Sequence, residues 1–246
     1  MTKEELINRA NTGDTDAMMQ LIKLFSDERD WNEAIDWADK AAEAGIVGAI
    51  YKAVVLHGRR MHALVDMGMV SGLMPDDAQA VKMNAALLLS IYQKGRLDLD
   101  DDTVSFLRDA LRDGLYYEAV SCFFAKPCDY DRIISLLGDV EFTREQFLCG
   151  NAYYEKGQYN KAREKFNTAL QDSGYIGSDK DTFDDCVFAS SMDSFAAMER
   201  ENGNMDQAVM LLNRAIDNCS TDEMKALLQK ELGRYHRKML GGWKYI

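Results

Sequence analysis

The side chains best equipped for chemistry in this 246-residue chain are few, and their spacing does not favour a reaction. Three histidines stand at His57, His62 and His236, and no two are three or four residues apart, the offset that turns two imidazoles on one helix face toward a metal. Five cysteines, Cys122, Cys128, Cys149, Cys186 and Cys219, are odd in number and lack metal-ligand spacing, which reads as reduced thiols in a core. The run Asp98, Asp100, Asp101, Asp102 looks like the opening of a calcium loop, but the Gly and closing Glu are missing from the required offsets. Carboxylates just ahead of Thr103 read instead as charge at a helix N-terminus. His57 and His62 flank Arg59 and Arg60, which leaves two readings open: a small anion-binding spot or a solvated helix junction. Neither a G-x-S-x-G elbow nor a glycine-rich phosphate loop occurs. The expectation is a protein that is not an enzyme and holds no cofactor and no metal.

Bulk composition narrows the partners. The formal net charge is −12, from 41 acidic against 29 basic side chains, and this opposes binding to phosphate backbones, which needs clustered Lys and Arg. A neutral or basic protein or peptide is the expected partner, with no nucleic acid and no membrane. The opening MTKEELINRA has no apolar stretch of signal-peptide length, and the run Ala85 to Leu89 is far too short to cross a bilayer, so the chain reads as cytoplasmic. With 47% hydrophobic residues it can bury a substantial core, and only Pro75 and Pro127 interrupt its length, which suits helices joined by short turns.

The elements that position these residues show themselves as repeats. In GNAYYEKGQYNKAREKFNTA, Gly150 and Tyr153 fall on a first helix, Gly157 marks a turn, and Ala162, Phe166 and Ala169 recur on a second. A second copy runs through Ala196, Gly203, Ala208, Leu212 and Ala215, lengthened by a polar loop from Ser173 to Thr182. Toward the N-terminus the junction Ala10, Gly13, Ala17 returns as Ala42, Gly45, Ala49, with Ala34, Trp37 and Ala41 on one face of the helix between them. Gly45 to Gly114 is 69 residues, close to two periods of about 34. Helices are predicted at Thr2 to Ala10, Ala17 to Glu28, Trp31 to Ala44, Val47 to Gly58, Arg60 to Val70, Asp77 to Lys94, Thr103 to Asp113, Leu115 to Ala125 and Asp129 to Leu137. Thr143 is the expected N-cap of the next, with Gln146 at the capping-box offset, and Thr221 to Leu240 reads as one amphipathic cap helix.

On these residues the chain resembles the tetratricopeptide superfamily, with Sel1-like repeats over 1–138 and tetratricopeptide repeats over 139–246. The resemblance implies an all-α fold, an α-α superhelix or solenoid of stacked antiparallel helix pairs, continuous over both parts. In that family the first helix of each pair lines the concave face, which here falls on Arg144, Phe147, Asn151 and Tyr154 and, one repeat on, Asp193, Ala197 and Arg200. Asn151 matches the asparagine with which some members clamp a C-terminal carboxylate, while Phe147 stands where the clamp lysine would be. The expected function is therefore an adaptor or scaffold holding a peptide or partner protein in this groove. The alternatives are a peptide-sensing regulator and an enzyme with an unrecognised site. Lys225, Lys230, Arg234, Arg237, Lys238 and Lys244 give the C-terminal segment a basic face, open either to solvent or to weak self-association with an acidic surface of a second copy.

Overall fold

The computed structural model describes residues 2–69, 74–178, 180–237 and 243–246. The chain divides into two compact units, Met1–Glu118 and Ala119–Ile246, with the boundary inside a helix. Among the described residues thirteen helices and one short hairpin account for the regular structure, and neighbouring helices pack on one another.

The first unit contains α1 (Lys3–Asn11), α2 (Thr15–Asp27), α3 (Trp31–Glu43), α4 (Val47–Asp66), α5 (Met74–Gln93) and most of α6 (Asp101–Phe124). Its helix starts follow from local chemistry. Thr2 and Glu5 form a reciprocal capping box, and Asp14 and Asp30 accept from the backbone N–H groups of Ala17 and Glu33. The stops at Gly13 and Gly45 have φ of 90° and 82°, where a side chain would be strained. Arg29 takes the same left-handed geometry with φ 61°. The small residues of the repeated junction are buried as their spacing suggests: Ala10, Ala17, Ala41 and Ala49 are at most 1% exposed, beside Leu21, Phe25 and Trp37.

Two turns expected in this unit do not exist. Val47 to Gly58 and Arg60 to Val70 were separate helices on the sequence pattern, yet α4 runs unbroken from Val47 to Asp66; Val70 lies outside the described residues. Likewise α6 continues through Gly114. Gly114 is needed for proximity and not for a turn, because a Cβ there would lie 2.8 Å from the Ala78 carbonyl oxygen and 2.8 Å from the Lys82 nitrogen of α5. Ala78, Val81, Ala85 and Leu88 make the stripe on α5 that the sequence marks, and they are buried against α4 and α6.

The second unit holds the end of α6, α7 (Tyr130–Leu137), α8 (Thr143–Glu155), α9 (Tyr159–Ala169), α10 (Ser173–Ile176), α11 (Thr182–Glu201), α12 (Met205–Asn218) and α13 (Asp222–Leu232). Gly157 and Gly203 end α8 and α11 with φ of 69° and 83°. Gly150 of α8 lies under the Phe166 ring, which stacks on Phe195 with centroids 5.2 Å apart, and Ala162, Ala208 and Ala215 are fully buried. Phe142, not Thr143, occupies the N-cap of α8, without a side-chain cap; the Thr143 hydroxyl donates to Asp172 at 2.7 Å, and the Gln146 amide donates to the Val140 carbonyl.

The cap helix is shorter than expected. Thr221 does cap α13, but the helix stops at Leu232, and Tyr235–Arg237 (β1) pairs antiparallel with Trp243–Tyr245 (β2). Lys238 and Leu240 lie outside the described residues. Gly233 ends the helix, and Tyr235, Trp243 and Tyr245 are side chains that favour strands. The Tyr235 and Tyr245 rings meet edge to face at 5.1 Å across the pair.

Candidate functional site

The seven residues expected to line a groove fall in three different settings. α8 and α11 do lie side by side, but the stripe carrying Phe147 and Asn151 is the face that joins them. Phe147 is fully buried, its ring edge-on to Phe188 at 5.4 Å. Asn151 is 1% exposed and donates through Nδ2 to Ser191 Oγ at 3.0 Å, while that hydroxyl donates to the Val187 carbonyl at 2.7 Å. Neither is surface that a ligand can reach. Arg144 pairs at 3.1 Å with Glu145, whose side chain is fully buried. Arg200 donates to Glu231 at 3.2 Å and lies 4.1 Å over the Tyr245 ring, so the chain's own C-terminal segment holds it.

Tyr154, Asp193 and Ala197 keep exposed surface. Asp193 borders a groove of about 340 Å³ between α11 and α13, walled by Cys186, Ala189, Leu227 and Leu228. Its tip meets water, but the burial these walls impose, with Glu231 nearby, pushes its carboxyl up. Arg234, expected on a continuous basic helix, instead donates to Glu231 and to the Tyr245 hydroxyl, both at 2.8 Å.

The first unit has an opening that the sequence reading did not find. α4 and α6 run parallel and touch at two levels: the Tyr51 and Phe106 rings lie 5.7 Å apart at one end, and His62 meets Asp113 at 3.4 Å and the edge of Tyr117 at the other. Eleven residues separate these levels on each helix, a length of about 16 Å. Between them the facing positions are small, Gly58 and Ala110, and the helices enclose a cleft of about 650 Å³. Val54, Val55 and Val81 give it an apolar floor. Asp66, Asp109 and Asp113 stand on its rim with Arg59 and His62, and Phe106 is 38% exposed at its mouth. The signal was in the sequence: Tyr51, Val55, Gly58 and His62 repeat at helical spacing on a face distinct from the core stripe of α4.

Behind that cleft, a charged cluster ties α4 to α3 and α5. His57 Nδ1 lies 2.6 Å from Asp77 Oδ1 and Nε2 lies 3.0 Å from Asp39 Oδ1, so both ring nitrogens face carboxylates. Burial alone would keep this imidazole neutral, but the hydrogen bonds to Asp39 and Asp77 outweigh it and raise its pKa to about 9. Arg60 forks onto Asp77 through Nε at 2.9 Å and a terminal nitrogen at 2.8 Å, and donates to Asn32 at 2.9 Å. Burial would raise the Asp77 carboxyl, yet His57 and Arg60 hold it below the ordinary carboxylate range. The anion-spot reading is thereby overturned for His57 and Arg60, whose donors already face protein carboxylates. The cluster has the outline of a proton relay, but His57 is 5% exposed and no nucleophile adjoins it, so its role is to fix three helices.

Of the five cysteines expected in the core, Cys149 and Cys219 are buried, whereas Cys122, Cys128 and Cys186 are half-buried. Asp100 caps α6 by accepting from Thr103 N–H at 2.7 Å; hydrogen bonds from the Thr103 hydroxyl and then its N–H lower the carboxyl, in accord with the N-terminal-charge reading. Cys149 and Cys219 are buried thiols pushed up to about 11 and about 12, and burial raises Cys186 as well. Among the described residues no group of three His, Cys, Asp or Glu side chains is placed to hold a metal ion, and no helix is long and apolar enough to cross a membrane. Compared with known proteins, the chain matches no protein-family model, and no curated protein matches it significantly.

Proposed function

We propose that the chain is a protein-interaction adaptor, built from tetratricopeptide-type helix pairs stacked as a solenoid, that holds a segment of a partner protein in the cleft between α4 and α6. The observation that carries this reading is the cleft: two parallel helices braced at both ends, with an apolar floor and glycine and alanine at its middle. A volume of about 650 Å³ accommodates two or three large apolar side chains. The repeat assignment is supported by left-handed glycines at the ends of α1, α3, α8 and α11 and by the close Gly150–Phe166 approach.

Charge selects the occupant. Residues 1–118 carry 21 acidic and 13 basic side chains, and three aspartates stand on the rim. The partner segment is therefore an apolar anchor flanked by Lys or Arg, held by aromatic contact with Tyr51 and Phe106 and steered by the aspartates. Asp66 and Asp109 are exposed, so Asp66→Lys with Asp109→Lys preserves the fold. Partners cross-linked to the wild-type protein in native lysate, identified and then titrated as purified proteins, should lose about tenfold or more in affinity for this double variant. Asp206→Lys in the second unit should leave them bound. Equal affinities for wild type and double variant would refute the assignment of the cleft.

A further inference from the structure

The C-terminal hairpin borders a second opening, a cleft of about 1000 Å³ in the second unit. We propose that the outer edge of β2 is a docking site for an extended, largely uncharged peptide segment, which joins the hairpin as a third strand inside this cleft.

Hydrogen-bond phase sets which groups are available. Ile246 N–H donates to the Arg234 carbonyl at 2.9 Å, and the register pairs Tyr235 with Tyr245, His236 with Lys244 and Arg237 with Trp243. Bonded and non-bonded pairs alternate in an antiparallel ladder, so Lys244 and His236 form a bonded pair and Trp243 and Tyr245 do not. The backbone N–H and C=O groups of Trp243 and Tyr245 therefore point away from β1.

The cleft meets this edge. Side chains of successive strand residues point to opposite faces, so a cleft against one face would be lined by the side chains of Trp243 and Tyr245 or by that of Lys244. All three line it, and neither Tyr235 nor His236 of β1 does. The facing wall carries Asn167 of α9 and Gln207 of α12, amides that donate and accept and so suit a peptide main chain. Phe195 also lines the cleft, a place for one apolar side chain. Arg163 on this wall is paired with Glu199 at 2.9 Å, which leaves little net charge for a charged segment to answer. A two-stranded ribbon gains stability from a third strand, and a main chain bonded along an edge with alternate side chains in pockets is a recurring mode of peptide capture.

The test uses the full chain labelled with ¹⁵N and peptides selected on it from a displayed library of short random sequences. In the free protein the Trp243 and Tyr245 amides should exchange with solvent fast and the Lys244 amide slowly. A selected peptide should slow the first two by about tenfold or more and leave Lys244 unchanged. Trp243→Pro deletes an outward donor and spares the bonds of Lys244 and Ile246, whereas Trp243→Val removes only the ring. Peptide affinity should fall about tenfold for the proline variant and less for valine. Failure to select any peptide, unchanged exchange at Trp243 and Tyr245, or equal losses in the two variants would overturn the proposal. So would protection of these amides that rises with protein concentration in the absence of peptide, since the occupant would then be a second copy. Should Trp243→Pro lose the hairpin, the exchange pattern of the wild-type protein still decides.

Discussion

Gly58 and Gly114 occupy the interiors of two long helices, and the structure assigns opposite signs to the same substitution at each. Replacing glycine by alanine inside a helix gains about 1 kcal/mol from backbone entropy alone. At Gly58 nothing opposes that gain, because the new methyl would lie 3.9 Å from Val81 Cγ2, an ordinary contact. At Gly114 the methyl would sit 2.8 Å from the Ala78 carbonyl oxygen and the Lys82 nitrogen, and backbone cannot rotate aside as a side chain can. α5 and α6 must then separate by more than half an ångström along a seam that includes the fully buried Ala78 and Leu107. Overpacking of this kind costs about 1–3 kcal/mol and strains the neighbouring ion pair of Lys82 with Glu118. Taking the upper part of that range because both partners are backbone, the net loss is about 1–2 kcal/mol, on the order of 5 °C in midpoint. Thermal melts of Gly58→Ala and Gly114→Ala, followed by far-ultraviolet circular dichroism, should move in opposite directions from wild type. Equal stabilisation in both would show that the helices do not approach at Gly114 as described.

Two further outcomes follow from the first unit. Arg29 holds a left-handed backbone, φ 61°, where Gly13 and Gly45 stand at other helix ends, so Arg29→Gly should raise the urea midpoint by the equivalent of about 0.5–1 kcal/mol; a lower midpoint would mean that the arginine side chain outweighs its backbone strain. His57 has its pKa raised from 6.5 to about 9, so the stability it contributes is complete below pH 6.5 and is lost as pH rises through about 9; Asp77, lowered from 3.8, contributes above that value and loses its share as pH falls. Urea unfolding followed through Trp31 and Trp37 fluorescence should therefore be hardest between about pH 4 and 6.5 and should weaken by about 3 kcal/mol by pH 9.5, whereas a midpoint flat or rising over that interval would contradict the buried imidazolium.

Much of the helix pattern is legible in the chain because amphipathic spacing, acidic N-caps and left-handed glycines are local facts: α2, α3, α9 and α12 begin and end within a few residues of where those signals stand. The errors share one cause. Gly58 and Gly114 read as punctuation, but what they meet is a residue some twenty or more positions away, and only tertiary packing separates a glycine that turns the chain from one that admits a neighbour. The hairpin was hidden because Leu228, Leu232 and Tyr235 continue a helical period across Gly233. For the groove, spacing places Phe147, Asn151 and Tyr154 on one stripe, yet periodicity does not say whether water or α11 lies against it; Ser191, forty positions beyond Asn151, decides that. The α4–α6 cleft was missed because its lining draws on three helices, and the sequence does not say that α4, α5 and α6 meet there.

The quartet of Asp39, His57, Arg60 and Asp77 has a consequence for substitution. Two cations and two anions balance, and losing either cation leaves the buried Asp77 carboxylate with one partner in place of two, which destabilises the fold. A second change that removes the carboxylate, for example an amide at position 77, would offset part of that loss. The four positions are therefore coupled in stability, and what is tolerated at one of them depends on which side chains stand at the other three.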